Sequence, residues 1–105
     1  MKVIKKLSEQ IEDELKDSEK YLKCAFNYKE DYPALAEVYY KLSLAEMDHV
    51  TMLHEAVVKI INDYSVEHPI PEGMQAIYDY LHEKQVKWAS KIRSRQESFK
   101  SESTE

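Results

Sequence analysis

Apolar residues recur at steps of three and four along nearly the whole chain, the pattern of amphipathic helices rather than strands. The first stripe reads Ile4, Leu7 and Ile11, then Tyr21, Ala25 and Tyr28, and predicts a helix over about 2–29. A second reads Leu35, Tyr39 and Leu42, then Leu53, Ala56 and Ile60, and predicts a helix over about 33–64. Pro33 suits the first turn of that helix, with Asp31 as a polar residue just upstream. The third stripe, Met74, Ile77, Leu81, Trp88 and Ile92, predicts a helix over about 72–99. Between the second and third lies Ser65 to Gly73, which holds two prolines and the only glycine and is the clearest break in the chain. Residues 100–105 are polar and are expected to fray. The expected architecture is all-α and a single domain over 1–99. A short connection makes the first two long helices an antiparallel hairpin, and the third packs on it.

Both long stripes are interrupted. Continuing the first through its gap lands on Glu14 and Ser18; continuing the second lands on Glu46 and His49. Polar groups therefore stand where the pattern faces a neighbouring helix. Burying an unpaired carboxylate costs several kcal/mol as a rough scale, so such groups need partners, and a bound cation is an effective one.

Position along the helices agrees. With the turn at residues 30–33, Glu14 and His49 lie equally far from it and Glu46 one turn nearer. At about 1.5 Å rise per residue, all three sit roughly 20–24 Å from the turn, in one layer of the hairpin. Glu46 and His49, three residues apart, face the same side of their helix and can approach one cation. Imidazole suits iron, zinc or copper, and carboxylates suit hard cations and can bridge two of them.

One hairpin supplies two Glu and one His. Two hairpins supply four Glu and two His, the donor set of carboxylate-bridged di-metal four-helix bundles. A symmetric homodimer with its two-fold axis through the site is therefore expected, with higher oligomers open. Tyr21 and Tyr39 each lie one heptad from an expected ligand. Their expected work is packing, with a hydroxyl oriented toward a ligand carboxylate, and a redox role is the alternative. No catalytic residue beyond the ligands is singled out.

On these residues the chain resembles the ferritin-like superfamily, and its rubrerythrin branch in particular. The matching stretch runs from Glu14, with Tyr21 seven residues on, across the break near Pro33 to Leu44-Ala-Glu-Met-Asp-His49-Val-Thr-Met-Leu53. Full-length members repeat the Glu and Glu-x-x-His pair on two further helices. This chain carries His82-Glu83 on its third helix instead, and so is more similar to the half-length encapsulated-ferritin type. That resemblance implies a ferritin-like four-helix bundle formed by two copies, with two irons per dimer held by Glu14, Glu46 and His49 of each. It also implies ferroxidase or related oxygen- or peroxide-dependent iron oxidation. Zinc and manganese are the alternative metals.

Composition narrows the partners. With 20 acidic residues against 15 basic ones the net charge is −5, which argues against nucleic acid. The bases Lys84, Lys87, Lys91, Arg93 and Arg95 are read as a solvated helix face. A single cysteine, Cys24, leaves no Cys-based zinc or iron–sulfur site within one chain and reads as a packed small residue. No apolar run reaches the roughly 20 residues of a membrane span, and no signal peptide is visible, so a cytoplasmic location is the expectation. His54 reads as an edge histidine and His82 as a surface one. The competing function class is a non-enzymatic helical assembly or adaptor protein. In it the Glu/His layer fixes helix register as a polar layer or structural metal site.

Overall fold

The computed structural model describes residues 1–103 and is helical almost throughout. Helix α1 spans Lys2–Tyr28, α2 Pro33–Glu67 and α3 Glu72–Ser103. The α1–α2 turn is tight. The Tyr32 N–H donates to the Tyr28 carbonyl at 2.8 Å, and Tyr32 then serves as N-cap with Pro33 in the first turn of α2. Proline costs nothing there, because the first N–H groups of a helix have no intrahelical acceptor.

Helix α2 runs one turn further than the pattern predicts, to Glu67. The following residue, His68, is extended as the residue before a proline prefers to be, and its N–H still reaches the Tyr64 carbonyl. Helix α3 continues through Ser103, so residues expected to fray are helical up to that point. The Lys29–Glu102 ion pair links the ends of α1 and α3.

The three helices run up, down and up in a rod of 56 × 17 × 17 Å. Helices α1 and α3 are parallel: the amino terminus donates to the Tyr78 hydroxyl at one end, and Lys29 meets Glu102 at the other. Between them α3 is tied to α1 by Gln85 donating to the Ser8 hydroxyl, Lys84 to Glu12, and the Trp88 indole N–H to Glu19.

The core is a stripe the sequence pattern only half captures. Its α1 contribution is Ile4, Ser8, Ile11, Leu15, Ser18, Leu22 and Ala25. From α2 it takes Ala36, Ser43, Met47 and Val50, and from α3 Gln85, Ile92, Gln96 and Phe99. Expected stripe residues on the other edge of the hairpin are more open: Tyr28, Leu35 and Leu42 are exposed, and so is Ile77 on α3. The physical reason is that an αα-hairpin has a groove on each side and α3 fills one. At its centre Ser18 and Ser43 exchange hydroxyl-to-carbonyl bonds at 2.9 Å, and the Gln96 amide donates to the Ser43 hydroxyl. Small residues let the helix backbones approach, and every polar group in that layer has a partner.

Candidate metal centre

Glu14, Glu46 and His49 lie on the groove that α3 leaves uncovered. On α1 the α3-facing side carries Ser8, Glu12 and Glu19. Glu14 belongs to the opposite edge with Leu7, Tyr21 and Tyr28. The α2 residues on the same edge are Leu35, Tyr39, Leu42, Glu46, His49 and Leu53.

The hairpin register brings the three side chains together. One ligand-capable atom from each lies within 4.8 Å of the other two. The imidazole Nδ1 of His49 is 3.6 Å from Oε2 of Glu14 and 3.6 Å from Oε2 of Glu46. That is too far for a hydrogen bond but close enough that both carboxylates act on the same ring edge. The side chains of Glu14 and Glu46 are 22% and 16% exposed, whereas that of His49 is 52% exposed. Within the single chain the Glu-x-x-His motif is thus only partly sheltered. The carboxylates are sheltered between α1 and α2, and the imidazole stands at the lip of the open groove.

Glu46 Oε2 is buried and has no hydrogen-bond partner. A buried carboxylate oxygen with no donor is costly and rare in a folded chain. The defect sits within reach of a second carboxylate and an imidazole, a combination that a divalent cation would satisfy. The donor set, two carboxylates and one imidazole nitrogen, fits iron, manganese or zinc. Three protein donors fall short of the four of a closed structural zinc site, so the set suits a site completed from outside.

Matched against known proteins, the chain meets no family model, no curated protein and no solved structure.

Tyr21 and Tyr39 face each other across the hairpin, their rings stacked with centroids 6.2 Å apart. Two tyrosines beyond those singled out in the sequence extend the contact. Tyr28 stacks on Tyr39 at 5.9 Å, and Tyr32 meets Tyr28 edge-on at 6.1 Å. Their signal was in the spacing: Glu14, Tyr21 and Tyr28 are heptad-spaced on α1, as are Tyr32, Tyr39 and Glu46 on α2.

His54 and His82 are not isolated. Their rings stack at 4.7 Å between α2 and α3, beside a cavity of about 190 Å³ lined by Ile4, Ile11, Val57 and Leu81 among others. Burial, then the neighbouring His82, pushes the His54 pKa down, with Glu55 opposing. The near-parallel rings direct their in-plane lone pairs alongside each other rather than toward a shared point, so this pair is not arranged as a chelate. Cys24 is half-buried. Much of the basic face of α3 is engaged within the chain. Lys84 pairs with Glu12, Lys87 with Glu83, and the Arg95 guanidinium lies 4.8 Å from the Phe26 ring centroid. Among the described residues no helix is long and apolar enough to cross a membrane.

Proposed function

We propose that the protein is a di-metal carboxylate protein that oxidises ferrous iron at a site shared by two copies of the chain, in the manner of the ferritin-like proteins it resembles. The observation that carries this reading is the orphaned Glu46 Oε2, held beside Glu14 and His49 on the side of the hairpin that α3 does not cover. Pairing that face with its symmetry mate would bury Leu35, Leu42 and the His49 ring and form a ferritin-like four-helix bundle from two hairpins. The assembled layer would hold four carboxylates and two imidazoles, the composition of carboxylate-bridged di-metal bundles.

In this reading Glu14, Glu46 and His49 of each copy would hold the two cations, the carboxylates supplying neutralising charge and the imidazole a nitrogen donor. When bound, a pair of ferrous ions supplies the electrons that reduce dioxygen or peroxide. The chain's own contribution is to fix the donors and to exclude bulk water once the partner covers the groove. Tyr21 and Tyr39, one helical heptad away toward the turn, form the aromatic wall above the carboxylates.

A second reading has one observation in its favour. The outer side of α2 carries exposed apolar residues that hold no ligand role, Val38 and Met52 among them, as a docking face for assembly would. In that case the layer specifies register and the protein is an adaptor without redox chemistry. Metal analysis after anaerobic loading with Fe(II) separates the two. The iron reading requires about one iron per chain, lost in Glu46→Ala and His49→Ala, and oxidation of that iron on exposure to air. A folded dimer indifferent to Fe(II) is the outcome that selects the adaptor.

A further inference from the structure

A series of tyrosines leads from the Glu/His layer to the α1–α2 turn. Along α1 the heptad positions after Glu14 are Tyr21 and Tyr28; along α2 the heptad positions before Glu46 are Tyr39 and Tyr32. Because the helices are antiparallel, both series run from the layer to the α1–α2 turn. Their rings form one continuous series: Tyr21 on Tyr39 at 6.2 Å, Tyr39 on Tyr28 at 5.9 Å, and Tyr28 on Tyr32 at 6.1 Å. Tyr21 is half-buried, and Tyr32 is 61% exposed at the other end. The inner pair begins about 10 Å from the carboxylates, one heptad of helix rise. Packing alone asks only for aromatic or aliphatic bulk here, and a second aromatic cluster, at the opposite groove, is built on Phe26, Tyr40 and Phe99. The uncovered groove instead has a phenol at each of the four positions, and phenols can lose an electron and a proton together.

We propose that Tyr21, Tyr39, Tyr28 and Tyr32 form a one-electron relay between the Glu14/Glu46/His49 layer and the protein surface, with Tyr32 as its outer terminus. This rests on the iron-oxidation reading for its inner end. Reduction of dioxygen to two waters takes four electrons and four protons. Two ferrous substrate ions account for two electrons. The relay supplies the other two, one at a time, each phenol in turn giving up an electron and a proton and being restored by its outer neighbour. At Tyr32 the oxidising equivalent meets a small one-electron reductant, for which ascorbate serves as the probe. Without a reductant, two Tyr32 phenoxyl radicals from different molecules couple through their ortho carbons. The balance is then one dioxygen, two ferrous ions, two tyrosines and two protons giving two waters, two ferric ions and one dityrosine.

The relay can be tested without any metal. In a Cys24→Ser background, His49→Cys provides an attachment point for a ruthenium-polypyridine photo-oxidant at the layer itself. After a flash in the presence of a sacrificial acceptor, radical trapping is mapped by peptide mass spectrometry. Trapping at Tyr32 is expected, and Tyr39→Phe, which keeps the ring and removes the phenol, is expected to lower it at least tenfold while circular dichroism stays unchanged. Equal trapping at Tyr32 with and without the Tyr39 hydroxyl overturns the relay.

In a second arm, otherwise native protein is loaded with Fe(II) and exposed to dioxygen. Dityrosine fluorescence and a Tyr32–Tyr32 cross-link are expected, both suppressed by ascorbate and both lost in Tyr39→Phe when the two proteins are compared at equal bound iron. A cross-link that survives Tyr39→Phe counts against the relay. Failure of the chain to bind iron, beside a positive flash result, overturns the iron reading and the inner end of the proposal while the phenol series itself stands.

Discussion

Nδ1 of His49 on α2 lies 3.6 Å from Oε2 of Glu14 on α1, and the contact exists only because the hairpin turn sets the two helices in one register. Nothing in the fold of a single chain needs it. The core is made by other residues, and the layer that the core does bury, Ser18 with Ser43 and Gln96, is fully hydrogen-bonded. The Glu/His layer is the opposite: it holds two carboxylates close together and leaves one buried oxygen without a donor. Such a conflict between local chemistry and stability is expected at functional sites.

Removing that conflict should stabilise the metal-free protein. Glu46→Met fills the same space with no charge and deletes the orphaned oxygen. Relief of about 1–3 kcal/mol is the scale for an unsatisfied buried polar group. Thermal melts in chelator should show a higher Tm for the variant. Adding Fe(II) or Zn(II) under anaerobic conditions should raise the Tm of the native protein and leave the variant unchanged. A lower Tm for the metal-free variant would mean that the carboxylate is a structural asset.

The buried serine layer should behave in the reverse way. Ser43→Ala leaves the Gln96 amide and the Ser18 carbonyl without their partner inside the three-helix core. A loss of about 1–3 kcal/mol is expected from urea denaturation, with metal affinity unaffected because α3 and its contacts lie on the other side of the hairpin.

The open groove is where a second copy should dock. Leu42 is 39% exposed and lies one helical turn from Glu46 on the same edge of α2. Leu42→Glu adds a charge that a dimer across this face would have to bury twice. Sedimentation should show a shift to monomer, with weaker metal binding, while the melting of the isolated chain changes little. An unchanged dimer would place the interface elsewhere.

The fold was largely legible because helix period, breakers and loop shortness are local properties. Pro33, Pro69, Pro71 and Gly73 mark the boundaries, and the stripes give the helix type. Burial was less legible. The apolar steps through Tyr21, Tyr28, Leu35 and Leu42 point to a face that meets another helix, but an amphipathic hairpin has two sides, and no local pattern says which one the third helix takes. The true core path uses Ser18, which falls in the gap of the first stripe, and Ser8 and Ser43, which a hydrophobic stripe skips because small polar residues become core only when a partner hydroxyl or carbonyl is opposite. The candidate site was readable for a different reason: position relative to a turn is arithmetic once the hairpin is assumed. The His54–His82 stack was not, since it depends on how α3 packs.

That stack makes stability depend on pH. The His54 pKa is lowered in the folded chain from its ordinary 6.5, by burial first and by His82 second. The unfolded chain then binds more protons than the folded one as pH falls through 6.5, so stability drops, and the loss levels off below the folded pKa. The Tm should fall between pH 7.5 and 5.5, and His54→Asn should flatten that dependence. A native slope retained in His54→Asn would assign the effect to other groups.

The shared site itself is tested most directly by crystals grown with iron and an anomalous-scattering map at the iron edge. The account predicts two peaks about 3.5–4 Å apart on a two-fold axis, flanked by Glu14, Glu46 and His49 from each of two copies. A map with no peak at this layer, or with a single ion held by one chain alone, would contradict it.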